Sequence, residues 1–350
     1  MSSDPSRAPL VSVIILSWNC RDFLPRVVAS VARQTHRAVE VVIVDNASTD
    51  GTVETLARFE GAATVLPQPT NAGFARGMNS GFEASRGDYC VFLNCDAVLR
   101  PDFVANAVAH FERHPAVGVV GPNVWRIDRN REDDWRFWER GEPYGLPFDG
   151  GVVALDHLLH VLGLDDRGVP WQRSFKANGA CPVVRRATVE AMRRAFGVAP
   201  FDPVFDTYGE DVDFAFKTWT LRWETMFAAD VVAGHVRSYS SELHLWDKRG
   251  RLRVNLIAER YINAARYLSP PRLLLVASAA LLTDVTAATR RRFEGDRAAY
   301  RDLGDALARI ARMRGALRRF RRRHAAWRRV DFAREALLLD APGRARPLLR

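Results

Sequence analysis

The sequence predicts an α/β fold in which a mostly parallel sheet is flanked by helices and followed by an α-helical C-terminal extension. Runs such as VSVIILS, VEVVIVD and YCVFLN are near-continuously apolar and rich in β-branched residues, as strands covered on both faces must be. Helical patterns alternate with these runs, which is the arrangement of strand–helix–strand units. Beyond Glu242 apolar residues recur at steps of three and four, with arginine crowding the positions between, and this predicts the extension.

Taken in order, Val11 to Ser17 is the first strand, Phe23 to Gln34 a helix, and Val39 to Asp45 the second strand. Thr52 to Phe59 is helical, Ala63 to Leu66 a short third strand, Phe74 to Ser85 a helix and Tyr89 to Asn94 the fourth strand. Pro101 to Arg113 reads as helix and Val117 to Gly121 as strand. From 123 to 175 periodicity fades while Trp125, Trp135, Trp138, Tyr144 and Trp171 gather among charges, glycines and prolines, which marks an irregular insertion. Order returns with a strand at Ala180 to Val184, a helix at Thr188 to Phe196, a helix running to about Leu221, and strands near Glu224 to Phe227 and Val231 to His235. The division expected is a catalytic unit over 1–241 and a helical, Arg-rich region over 242–350. In that region Val254, Ile257, Ala258, Tyr261, Ala265 and Leu268 mark one helix face, and Leu303 to Trp327 another.

Net charge is +10, but Arg290 to Arg350 holds 19 Arg against 7 acids, so the basicity belongs to the tail. Such a tail attracts phosphate-rich partners, either nucleic acid or an anionic membrane. The acidic balance ahead of it disfavours a nucleic-acid-binding protein. A basic amphipathic helix carrying Phe320 and Trp327 suits a membrane surface instead, although the same spacing also describes a dimer seam or a hairpin packed on the catalytic unit. The uncharged run Leu273 to Thr283 is about half the ~20 residues needed to span a bilayer; it is expected to dip in at most, or to lie buried beneath the tail. Four cysteines without a CxxC pair, and no apolar N-terminal stretch, lead to the expectation of reduced core thiols in a cytoplasmic protein.

In a parallel α/β sheet ligands bind beyond the carboxyl ends of the strands. That rule selects Trp18 and Asn19, Asp45 and Asn46, and Asn94 and Asp96. Asp45 closes an apolar strand where it could accept the imide N–H of a pyrimidine; the Ser48 and Asp50 that follow could equally serve the turn alone. Alternate residues leaving a strand point the same way, so Asn94 and Asp96 converge while Cys95 turns aside. A hard divalent cation bridging a diphosphate fits there, and so does a plain Asn-x-Asp turn. Glycines 73, 77 and 81 line one helix face, for close ligand approach or for helix–sheet packing. In FDTYGEDVDF three carboxylates, Glu210, Asp211 and Asp213, open a helix.

VSVIILSWN, VVIVDNASTDGT, NAGFARGMNSGFEASRGDYCVFLNCDAVL, GACPVVRRATVE, FDTYGEDVDFAFKTWTLRW and AGHVRSYS stand in this order over Val11 to Ser241. Together they resemble the inverting family 2 glycosyltransferases of GT-A fold, especially the rhamnosyltransferase-like members of bacterial surface-polysaccharide synthesis. The resemblance implies that Asp45 reads the donor base beside Ser17 and Trp18, and that Asn19, Asn46, Asn71, Gly73, Asn79, Asn94 and Cys95 line the sugar-nucleotide site. Asn94-Cys95-Asp96 corresponds to the family's DxD motif, with Asn in the first place, and Asp96, with His235, would hold Mg²⁺ or Mn²⁺. Asp211 would be the general base, taking the acceptor hydroxyl's proton as that oxygen attacks the anomeric carbon. Glu210 would assist it, or bind the acceptor with Asp213. Apart from the resemblance, sugar rings stack on Trp and Tyr, so the aromatic residues of the insertion, Trp125 and Trp171 among them, could form an acceptor lip or could equally serve core packing.

The function expected is transfer of a sugar, L-rhamnose from dTDP-rhamnose first and a UDP-sugar second, to a glycan or polyprenyl-diphosphate-linked acceptor. The enzyme would lie on the inner face of the plasma membrane, with a homodimer as an open alternative. A sugar nucleotidyltransferase is disfavoured because SWNCRDF, after the first strand, lacks a glycine-rich phosphate loop.

Overall fold

The computed structural model describes residues 8–59, 61–131, 135–136, 153–155, 161–163, 170–198, 200–205, 208–236 and 249–325. Its centre is strand β1 (Val11–Ser17), flanked in parallel by β2 (Val39–Asp45) and β4 (Tyr89–Asn94), with β3 (Thr64–Pro67) beyond β2. The register sets Ser17 beside Asp45 and Leu16 beside Asn94, so the three strands end along one line. Helices α1 (Leu24–Ala32), α2 (Thr52–Leu56), α3 (Gly73–Ala84) and α4 (Phe103–Arg113) connect and cover them. Core residues such as Val13, Ile15, Val91 and Leu93 are wholly excluded from solvent, as strands sandwiched between helices require.

The sheet then turns mixed. β10 (Val183–Arg185) lies antiparallel between β4 and β6 (Val117–Arg126), and β11 (Glu224–His235) runs parallel to β6. β5 (Ala97–Leu99) and β9 (Trp171–Arg173) close its far side, both antiparallel to β11. Three expectations change here. β6 continues to Arg126 because β11 extends alongside it. The two strands expected at 224–227 and 231–235 are one strand whose register breaks between Ala228 and Val232. β5 was not expected, since three residues carry no readable period. Within the insertion, β7 (Val153–Leu155) pairs with β8 (Val161–Gly163); Trp138, Tyr144 and the residues beyond Val236 in the AGHVRSYS motif lie outside the described residues.

Gly77 and Gly81 serve packing. An added Cβ would collide with Leu16 and Ile14, so α3 lies against the sheet only because these side chains are absent.

The C-terminal helices pack on the sheet-bearing part of the chain. α5 (Arg186–Phe196) and α6 (Glu210–Thr220) cover the sheet, and α7 (Arg251–Tyr267), α8 (Pro270–Phe293) and α9 (Ala299–Arg323) form the outer helical layer. Leu303, Ala306 and Leu317 of α9 share a core with Ile257, Ala258 and Ile262 of α7. Phe320 stacks on Phe196 with ring centroids 6.0 Å apart and meets Tyr267 edge-on at 5.6 Å. The apolar stripe of α9 thus faces protein, and Phe320 is not a membrane-facing residue; Trp327 lies outside the described residues. The expectation that the run from Leu273 to Leu282 is buried holds for one side only: Val276 and Ala280 are buried, while Leu274, Leu275, Leu281 and Leu282 are exposed.

Candidate active site

Along the strand ends a set of short bonds shapes a rim. Asp45 is buried, and its carboxylate accepts from Ser48 Oγ at 2.5 Å and from the Ser48 N–H at 3.2 Å. This is the turn-satisfying role, and it fixes the carboxylate's direction. Asn19, in the left-handed region at φ 53°, donates its N–H to Ser48 Oγ and accepts from the Thr49 N–H, both at 2.9 Å. Asn46 Nδ2 donates to Asn71 Oδ1 at 2.9 Å, and Asn46 Oδ1 accepts from the Ala72 N–H at 3.0 Å. Asn71 in turn accepts from the Gly73 N–H at 2.9 Å. The amides therefore lock the loops after β1 and β2 to the start of α3. Ser17 Oγ is buried with no hydrogen-bond partner among the described residues, and Trp18 stands 53% exposed above it.

At the end of β4, Asp96 Oδ1 lies 3.1 Å from His235 Nε2, although 139 residues separate them in the chain. The pairing of β5 with β11 sets Ala97 opposite His235 and so brings the two together. Cys95 is joined to Cys20 in a disulfide, with Cα atoms 6.2 Å apart. That corrects two expectations: these two are not free thiols, and the Cys95 sulfur is turned from the donor rim into a tie between the β1 and β4 loops. Cys90 and Cys181 remain buried thiols, and burial pushes Cys90 up to about 11. No group of three or more His, Cys, Asp or Glu side chains stands ready for a metal among the described residues. One carboxylate and one imidazole still fit a cation that keeps waters and takes its remaining oxygens from a diphosphate.

The second half of the site is the start of α6. Gly209 precedes it at φ 87°, and an added Cβ there would collide with the Glu259 carboxylate. Asp211 Oδ1 accepts from the Val212 N–H at 2.8 Å, and Oδ2 is ion-paired with Lys176 Nζ. Each carboxylate oxygen has a second acceptor position, so both bonds leave room for a hydroxyl. A cleft beside Asp211 is lined by Lys176, Glu210, Phe74, Phe201 and Phe214. The segment 176–181 links the two halves. Gly179 lies against Asp211 at one end, and the Ala180 carbonyl accepts the Asn94 N–H at 2.8 Å at the other.

Beneath this start, Glu259 of α7 contributes a third carboxyl. Burial, and then the charges of Asp211 and Glu210, raise its pKa well above the usual carboxylate range. A proton bound more tightly in the folded state stabilises it below the unfolded pKa, and that stability is lost as pH rises through the folded one. Glu259→Gln removes this dependence. The variant is expected to keep its melting temperature better than the wild type as pH is raised from the ordinary carboxylate range, a comparison read by thermal denaturation across pH.

Several expected contacts sit elsewhere. Asn79 donates to the Phe201 carbonyl at 2.7 Å and accepts its N–H at 3.0 Å, so its amide clamps a loop to α3. Asp213 is fully buried and bonded to Lys217, Arg266 and Tyr267, closed to any acceptor. Although Glu210 and Asp213 share a helix side in sequence, only Glu210 reaches the cleft. Trp171 stacks on His110 and His114 at 4.3 and 4.7 Å, and Trp125 packs on the main core, so neither forms a lip over the cleft. Lys176 and Glu259 were not singled out from sequence. One signal for the first was present: of 51 basic residues only Lys176, Lys217 and Lys248 are lysines, and the first two each pair with an acid of α6.

Residues 12–159 match the model of Glycosyl transferase family 2. The chain is 39% identical to a putative teichuronic acid biosynthesis glycosyltransferase of Bacillus subtilis over 34% of its length and 49% of that protein's. It is 34% identical to an uncharacterized glycosyltransferase of Nostoc sp. over 31% of its length and 35% of that protein's. These matches thus span about a third to a half of the relatives. A longer alignment, at 23% identity over 66% of this chain and 78% of the relative, is with the N-acetylglucosaminyl-diphospho-decaprenol L-rhamnosyltransferase of Mycobacterium tuberculosis. Among solved structures, a Pyrobaculum calidifontis mannosyltransferase in complex with GDP-Man and Mn²⁺ superposes with TM-score 0.53 at 20% identity, over 94% of this chain and 90% of that one. Staphylococcus aureus TarS 1–349 in complex with UDP-GlcNAc superposes with TM-score 0.56 at 15% identity, over 91% and 89%. The fold is the GT-A glycosyltransferase arrangement that the sequence resemblance implied.

Proposed function

We propose, for a chain whose residues 12–159 match the family 2 glycosyltransferase domain, that it transfers a sugar from a nucleoside diphosphate to an acceptor hydroxyl, with inversion, in cell-surface polysaccharide synthesis. The observation that carries this reading is the segment 176–181, which touches the Asp211 carboxylate at one end and the Asn94 backbone at the other. A base and a donor rim held by one strap can present a hydroxyl to an anomeric carbon in line with its leaving group. Asp211 takes the hydroxyl proton, and Lys176 orients its carboxylate while offsetting the nearby charge of Glu210. Asp45 directs a carboxylate toward the base edge, with Ser17 and Trp18 beside it. Asp96 and His235 would hold the divalent cation, which when bound neutralises charge on the departing diphosphate.

dTDP-L-rhamnose is the donor we favour, supported by the likeness to the mycobacterial L-rhamnosyltransferase. A UDP-sugar is the alternative, since thymine and uracil present the same edge to Asp45, and a similar fold binds UDP-GlcNAc in TarS. A lipid-linked acceptor is the one we favour, supported by the likeness to that N-acetylglucosaminyl-diphospho-decaprenol L-rhamnosyltransferase. The test is calorimetric titration of the protein with dTDP and with UDP, each with and without Mn²⁺. Metal-enhanced binding of one of them is expected, and binding of neither would sink the reading. Asp96→Ala should weaken the metal-dependent binding at least tenfold while leaving metal-free binding in place; equal loss in both conditions would remove Asp96 from the cation.

A further inference from the structure

We infer that the outward face of α8 is a docking surface for an anionic lipid bilayer, seated in the plane of the headgroups. The helix has two distinct sides. Val276, Ala280, Asp284 and Ala288 recur every four residues and are buried. The Asp284 carboxylate accepts from Tyr261 at 2.7 Å and from Arg260 at 2.5 Å, both on α7, and this fastens the middle of the helix to the protein. On the other side Leu274, Leu275, Leu281, Leu282, Val285 and Phe293 are all exposed, the leucines at 274, 275 and 282 to about 70% and Phe293 to 89%. At 3.6 residues per turn these six positions fall on one side of the helix, among Ser278, Thr289 and Arg292. Six exposed apolar side chains on one helix side are abnormal on a water-facing surface.

Charge decides what covers it. Residues 270–325 hold 14 Arg against 5 acids. Arg272 at the start of α8 and Arg290 and Arg292 at its end are exposed, and Arg301, Arg312, Arg314, Arg318 and Arg319 of α9 are exposed as well. Leucines between arginines are what an in-plane helix presents to acidic headgroups. A second copy would bring like charges together around the same stripe. By length and composition the 24-residue helix could cross a membrane, but crossing would tear Asp284 from Arg260 and Tyr261 and leave charges unpaired in hydrocarbon. This inference stands on the exposed face of α8 and the arginines of α8 and α9, and does not depend on the sugar-transfer reading. It also moves the membrane contact from α9, where Phe320 faces inward, to α8.

The test is co-sedimentation of the full chain with vesicles of phosphatidylcholine, with or without phosphatidylglycerol. The wild type is expected to bind the phosphatidylglycerol vesicles and to release with salt. Leu274→Glu combined with Leu282→Glu, both at exposed sites, should keep the melting temperature and lose at least about a hundredfold in vesicle affinity. Wild-type failure to bind acidic vesicles, or unchanged binding by the variant, would overturn the inference. So would a solution dimer that the variant converts to monomer, since the stripe would then be a self-contact.

Discussion

Asp211→Asn is expected to lower sugar transfer by about 10²–10⁴-fold, the usual worth of a positioned general base, while donor binding changes less than about threefold. The asymmetry follows from geometry. Asp211 is linked to the strand-end rim through the 176–181 strap, with its own carboxylate bonds running to Val212 and Lys176. The amide of asparagine keeps one oxygen, enough for either the Val212 N–H or Lys176, and cannot accept a proton. Single-turnover transfer and calorimetric nucleotide binding, measured on the same preparation, separate the two effects. Loss of binding in parallel with transfer would show that Asp211 organises the donor site, and unchanged transfer would move the base elsewhere.

Asp213→Ala is expected to be the most destabilising single change in the helical layer, at about 3–5 kcal/mol, because removing one partner leaves uncompensated buried charge. Lys217 Nζ lies 2.6 Å from Asp213 Oδ2 and is fully buried, so it loses its counter-ion. Arg266 also bonds Asp213, at 2.8 Å, but retains Asp202 at the same distance. Tyr267 donates to the same carboxylate at 2.7 Å, so one aspartate binds α6 to α7. Denaturant unfolding measures the loss. Adding Lys217→Met should restore part of the stability by removing the stranded charge, and a double variant as unstable as the sum of the singles would refute the coupling. Burial works to raise the Asp213 pKa, but Lys217 and Arg266 overcome it and hold it below the ordinary carboxylate value. Its contribution is therefore present above the unfolded carboxylate pKa and is lost as pH falls through the folded one.

Much of the catalytic unit was legible as pattern. The central parallel strands β1 and β4 are almost entirely buried and declare themselves as apolar runs, and the rule that ligands gather at the carboxyl ends of such strands led to Asp45, Asn94 and Asp96. The pattern fails where local periodicity is short or its meaning is shared. A three-residue β5 has no period, yet it sets His235 next to Asp96. The three-four spacing of α9 describes a membrane face and a packed face equally well, and only the contact of Phe320 with Phe196 and Tyr267 decides between them. The acids of FDTYGEDVDF look alike in sequence. Helical spacing would group Asp213 with Glu210, but Glu210 and Asp211 border the cleft while Asp213 is buried against Lys217, Arg266 and Tyr267.

By itself, then, the sequence determined the α/β architecture, the order of the motifs, the strand-end residues and the position of the carboxylates on a helix start, because each of these is encoded within a few residues. Tertiary structure alone decided which carboxylate stays at the cleft, that Lys176 and Glu259 join it, that Cys20 meets Cys95, and that the exposed leucines belong to α8. The first three are contacts between side chains distant along the chain, and the last is the absence of such contacts on one side of α8 among the described residues. Their partners are set by how helices and sheet pack together, and no local pattern carries that information.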